Sequence, residues 1–177
     1  MTWKIDSAHT RVAFSVRHLL ISSVHGQFSK LAGTVEFDDA QPTRSSVDVQ
    51  IEAASIDTRC ALRDAHLRSA DYFDAETYPY LIFKSNRIEL VDDRHAEILG
   101  DLSIMDITHP VARNVEYHGL NQWPSGARRA GFTASAAINR KDYGFNLNPA
   151  LVGETVNISI ELEVVEQPVP ETVLAAN

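Results

Sequence analysis

The chain predicts a mainly β protein, built from about eight long antiparallel strands that form a sandwich or a closed barrel. Three observations carry that prediction. Apolar and polar residues alternate with period two over most of the length. Turn-forming residues interrupt the alternation at intervals. One short charged segment, after the strand Ser45–Ala53, has helical character.

The elements follow in order. Val12, Phe14 and Val16 alternate with Ala13, Ser15 and Arg17, the signature of a half-buried strand. Residues 24–28 and 33–37 repeat the pattern across a short polar turn. Val47, Val49 and Ile51 oppose Ser46, Asp48, Gln50 and Glu52. A helix is expected from Arg59 to about Ala70, capped by Asp57 or Thr58, whose side-chain oxygens can accept its free N–H groups. An acidic-aromatic loop follows, and such a helix-loop plug can close one mouth of a barrel. Strands are expected over 80–90, 96–104 and 107–117, the last two forming a tight hairpin about Met105 and Asp106. Phe132, Ala134, Ala136 and Ile138 share one face of a strand over 129–138. The cleanest alternation sets Val156, Ile158, Ile160, Leu162 and Val164 against Asn157, Ser159, Glu161 and Glu163. Residues 1–166 read as one domain, and the Pro- and Ala-rich residues 167–177 as a mobile tail.

Composition narrows the function. The 177 residues carry a formal net charge of −8 and no basic run. Nucleic acid is therefore not an expected partner, since binding it depends on Lys and Arg contacts to phosphates. The single Cys60 excludes an intrachain disulfide and CxxC metal sites. No run of about 18 apolar residues marks a transmembrane helix. Met1 is followed almost at once by Trp3 and Ile5, without a signal-peptide pattern, so a cytoplasmic location is expected for the sequence as it stands, and a periplasmic one if a signal peptide has been removed. Ala134 and Ala136 follow Phe132 on one apolar face. Small residues among large ones either leave a cavity suited to an apolar ligand or are filled by neighbouring rings.

An ordered set of motifs carries a resemblance: W-x-I-D-x-x-H-T-x-V-x-F-x-V-x-H from Trp3 to His18, I-S-S-V-H-G-x-F from Ile21, G-T-V-x-F-D from Gly33, then SIDT, RDAHLRS, DYFD and YPYLIFKS, then G-D-L-S-I, I-T-H-P-V, R-A-G-F, N-R-K-D-Y-G-F and L-V-G-x-x-V-x-I. Together, from Trp3 to about Val164, they resemble the YceI-like family of lipocalin-resembling, polyisoprenoid-binding bacterial proteins. The resemblance implies an extended eight-stranded antiparallel lipocalin-like barrel around a long apolar pocket. It implies a non-enzymatic protein that sequesters, stores or transports an isoprenoid or similar long-chain lipid, such as a polyprenyl phosphate or a quinone, and it allows a homodimer. The sequence departs from the family at Met105-Asp106, where a glycine is common; glycine enters positive φ freely.

On that reading the cavity wall comprises Phe14, Val16, Phe28, Val35, Phe37, Val49, Ile51, Phe83, Phe132, Ala134 and Ala136, each of which also fits an ordinary core position. A polar head group is expected at the mouth, with His18, Arg59 and Arg63 as its candidate partners. Arg59, Arg63, Asp64, Arg68, Asp71 and Asp74 are expected to form an ion-pair network that holds the helix to the barrel, Asp64 and Arg68 standing at i, i+4. Arg140 and Asp142 are expected to fix a turn. No metal ligand set is expected: His9, His18, His25 and His66 show no H-x-H or i, i+4 spacing. No cofactor or catalytic residue is expected, because no nucleophile motif, phosphate loop or dinucleotide fingerprint occurs. Two alternatives remain: an enzyme that acts on a lipid-like substrate through its histidines, and a protein-interaction scaffold.

Overall fold

The computed structural model describes residues 2–168. In chain order the strands are β1 (Thr2–Ile5), β2 (Arg11–His18), β3 (Ser22–Phe28), β4 (Leu31–Glu36), β5 (Ser46–Glu52), β6 (Ile56–Asp57), β7 (Tyr80–Leu90), β8 (His95–Ile104), β9 (Ile107–Gln122), β10 (Arg128–Asn139) and β11 (Val152–Glu166). Among the described residues a single α-helix, α1 (Ala61–Arg68), lies between β6 and β7. All pairings are antiparallel, and the order β1-β4-β5-β7-β8-β9-β10-β11 returns to β1, a closed ring of eight strands. One edge of β11 is shared. Its end pairs with β1 at Val164–Glu166, and its earlier part with β2 at residues 152–161. β2 carries β3 and then β6 on its far side. The barrel wall is thus extended at that end, where α1 and the loop after it stand between β6 and β7.

Alternation decides which side chains face inward. Trp3, Val35, Ile51, Phe83, Leu102, Ala130 and Val164 are buried in one core. Two glycines admit rings where any larger residue would collide. A Cβ on Gly26 would come within 2.3 Å of the Phe14 ring, and one on Gly100 within 2.6 Å of the Phe83 ring.

The structure differs from the sequence expectations in four places. The strand β1 was not expected, being too short for its alternation of Trp3 and Ile5 to stand out. The helix is shorter than expected, and neither Asp57 nor Thr58 caps it. Cys60 occupies the N-cap without a side-chain bond, while Asp57 accepts from the Arg59 N–H at 2.8 Å. The capping runs backward instead: buried Asp64 accepts from the Thr58 N–H at 2.9 Å and from its hydroxyl at 2.5 Å. Engaged there, Asp64 makes no ion pair with Arg68 among the described residues. In the hairpin, Met105 takes the positive φ of 56°; Asp106 does not. The expected mobile tail lies, beyond Pro168, outside the described residues.

One polar cluster pins the start of the chain to the closing strand. Arg129 of β10 donates to Asp6 at 2.7 Å and to Glu163, and Asp6 also accepts from the Ala8 N–H at 3.0 Å and contacts His9 Nδ1 at 3.0 Å. The hydrogen bonds from His9 and then Arg129 hold the Asp6 carboxyl down, from its ordinary 3.8 to about 2. Because the folded value is depressed, this contribution to stability is present above pH 4 and is lost as the pH falls through the range between the two values. Asp6→Asn is therefore expected to remove about 2 kcal/mol or less of the stability that the wild type loses between about pH 4 and pH 2. Urea unfolding at a series of pH values measures it, and an unchanged acid limb in the variant would contradict the assignment.

Candidate functional site

The barrel interior is hollow along much of its axis, in two lobes. The mouth lobe, of about 220 Å³, opens between the loop after β4 and the turn between β7 and β8, with Asp39, Pro42, Asp92, Asp93, Arg94 and His95 around its rim. Its wall is apolar, with Val12, Val35, Val49, Phe83, Ile98, Phe132, Ala134, Ile160 and Leu162. The helix lobe, of about 170 Å³, lies toward α1 and is walled by Phe14, Phe28, Leu67, Phe73, Leu102, Phe145 and Ile158 among others. Val12, Ile51 and Arg113 line both lobes, which places them at the junction.

The sequence-predicted wall residues divide between the lobes. Val35, Phe37, Val49, Phe83, Phe132 and Ala134 line the mouth lobe, Phe14, Val16 and Phe28 the helix lobe, and Ile51 both. Ala136 packs against the core but lines neither lobe. The three polar candidates also line neither. His18 is half-buried at the end of β2. Arg59 is exposed and holds a φ of 61°. Arg63 folds back to donate to Thr58, at 2.8 Å to its hydroxyl and 2.8 Å to its carbonyl, and so stiffens the loop that enters α1.

Aromatic rings close the helix end. Phe28 meets Phe14 at 5.6 Å and Phe73 at 5.8 Å, and Phe73 meets Phe145 at 5.0 Å. Phe73 comes from the loop after α1, where its N–H bonds the Leu67 carbonyl at 2.9 Å. Arg140 fixes the opposite side of this end. It is 6% exposed and donates to four carbonyls, of Gly153 at 2.8 Å, Phe145 at 2.6 Å, Leu147 at 3.0 Å and Val152 at 3.0 Å. The turn-fixing role expected of Arg140 is met by these bonds.

Arg113 is the residue that sequence reasoning missed. It lies on β9 between Val111 and Val115, on the inward face, and is 7% exposed. Its guanidinium carbon stands 4.1 Å from the centre of the Phe83 ring. Its Nε has no hydrogen-bond partner, and among the described residues no carboxylate pairs with it. Burial pulls its pKa from 12.5 down to about 10, which leaves it charged at neutral pH. The hydroxyl of Tyr143 interacts with this charge electrostatically, is itself unpartnered, and is raised by burial to about 12. Desolvating a lone cation costs several kcal/mol, and a buried cation–π contact returns only about 2 kcal/mol. The alternation of Val111, Arg113 and Val115 against Ala112 and Asn114 was the available signal.

An eight-stranded antiparallel barrel with a single short helix and an apolar cavity through its axis is the architecture of lipocalin-like proteins. The chain belongs to the YceI family: the family model for the YceI-like domain matches residues 3–164. A UPF0312 protein of Photorhabdus laumondii is 36% identical over 167 residues, covering 93% of this chain and 86% of that protein. A UPF0312 protein of Pseudomonas putida is 34% identical over the same shares. Among solved structures, a Campylobacter jejuni YceI protein superposes with a TM-score of 0.75 at 28% identity, over 86% of this chain and 90% of that one. Burkholderia cenocepacia BcnA superposes with a TM-score of 0.82 at 23% identity, over 90% and 98%. A polyisoprenoid binding domain from Saccharophagus degradans does so with a TM-score of 0.73 at 16% identity, over 94% and 98%. The last two bear on the fold alone.

The bonds of Arg140 give a test of how the helix end is held. Arg140→Met would leave four carbonyls without their donor, one buried and three part-buried, so a loss of about 2–4 kcal/mol is expected. Thermal and urea unfolding measure it; a loss below about 1 kcal/mol would mean that water replaces the guanidinium.

Proposed function

We propose that the barrel is a binding chamber for an isoprenoid or comparable long-chain lipid, which it sequesters, stores or carries without chemical change. The observation that carries this reading is the apolar two-lobed cavity along the barrel axis. Each CH₂ removed from water there contributes about 0.8 kcal/mol, so a long tail binds tightly with few polar contacts. Membership of the YceI family supports the same ligand class, and the likeness to a structure described as a polyisoprenoid binding domain supports a barrel of the shape that holds it. The placement of the histidines favours a carrier over an enzyme. Of the seven, only His95 lines the cavity, at its rim, where it is engaged with Asp92 at 2.8 Å. None stands along the apolar wall where a tail would lie.

Two experiments test the reading. Protein purified without detergent is examined by native mass spectrometry and then extracted with solvent. An isoprenoid mass ladder supports an isoprenoid tail, and a fatty acid or fatty amide keeps the long-chain-lipid chamber while excluding the isoprenoid tail. A protein that is empty and takes up neither added quinone nor polyprenyl phosphate overturns lipid binding. The second is Ala134→Trp, which places a large ring in the mouth lobe. In a solid core such overpacking costs about 1–3 kcal/mol; in a hollow one it is expected to leave the melting temperature nearly unchanged and to weaken quinone uptake at least about tenfold.

A further inference from the structure

We infer that Arg113 is an interior anchor for an acidic head group, and that the chamber prefers a long-chain carboxylate to the neutral lipid of the same length. The inference rests on the chamber reading above and specifies the ligand within it. The guanidinium lies at the junction of the two lobes, 93% buried by its 7% exposure, with the Phe83 ring 4.1 Å from its carbon. Its Nε is unpartnered, and no carboxylate of the described residues faces it. Gly100 permits this placement: the Phe83 ring lies where a Cβ on Gly100 would stand, and Arg113 rests on that ring.

A planar, permanently charged fork with unused donors, held within apolar walls, matches a carboxylate. The carboxylate would supply both the missing acceptors and the missing negative charge, while the chain runs into a lobe. A hydrocarbon or an ester carries no compensating charge to this position. The rim points the same way. Asp39, Asp92 and Asp93 stand there with Arg94 and His95, and His95 is already paired to Asp92. An anionic head has a lone cation to meet inside, and mostly carboxylates at the mouth.

The test compares cis-parinaric acid with its methyl ester, read by the fluorescence gain on burial, in the wild type, Arg113→Met and Arg113→Lys. The wild type is expected to bind the acid at least about tenfold more tightly than the ester. Arg113→Met is expected to bring the ratio near one while ester binding is retained, which also shows that the variant is folded. Arg113→Lys keeps the charge without the fork and is expected to keep part of the preference. Equal affinities in the wild type, or a preference that survives in Arg113→Met, would overturn the anchor and leave the chamber standing. If the wild type binds neither ligand, the anchor falls, and the chamber is then decided separately by uptake of quinone or polyprenyl phosphate.

Discussion

The four residues of β1 hold the sheet closed. Trp3, Lys4 and Ile5 pair with β11 on one side, while Thr2 to Lys4 pair with β4 on the other. Without that short strand the sheet would present free edges at β4 and at the end of β11, and free edges recruit other chains. Closure also fixes the bore, because eight strands enclose a space just wide enough for side chains or for one small ligand. The size of the inward residues then decides whether the barrel is solid. At the seam it is solid: Trp3 is 1% exposed and meets Phe37 edge-on at 5.8 Å, and Phe37 meets Phe132 at 5.6 Å. Further along the axis, Val12, Val49 and Ala134 are too small to meet across the bore, and the lobes open there.

The same constraint explains the two close-fitting glycines. In a closed barrel a large ring cannot swing outward, so it must lie over a neighbouring strand where that strand has no side chain. Gly26 accommodates Phe14 and Gly100 accommodates Phe83 in this way. Rings seated against the wall leave the axis clear. The seat at Gly100 also sets the height of Phe83, and therefore of the guanidinium above it.

Much of the barrel was legible because period-two alternation is written in the side chains themselves. β11 and β10 could be read for that reason, and of the expected wall residues Phe132 and Ala134 of β10 and Val49 and Ile51 of β5 come to the cavity with the parity that alternation assigns, while Ala136 does not reach it. What was not legible depended on contacts distant in sequence. The start of α1 is fixed by Asp64 reaching back to Thr58, which local capping rules do not anticipate. The positive φ falls on Met105, in a hairpin whose strands are already paired from Ile104 to Ile107. The polar candidates were sought among charges crowded in sequence about α1. Their proximity along the chain reflects a stiffened loop, as the bonds from Arg63 to Thr58 show. Arg113 was overlooked for the opposite reason: it stands alone, and reading by composition assigns a lone arginine in a strand to solvent.

The difference between the two buried arginines indicates where specificity resides in this interior. Arg140 spends its donors on four carbonyls of its own chain, and its charge stabilises a loop. Arg113 is equally buried, yet donates to none. A fold that merely needed to fill the junction of the lobes would be better served by Leu or Met, since uncharged packing avoids the desolvation of a cation. The apolar walls favour any tail of suitable width and discriminate weakly between tails, because each methylene contributes about the same amount. Discrimination must then come from the polar point in the bore, where leaving a charged group unmatched is costly and matching it is strongly favourable.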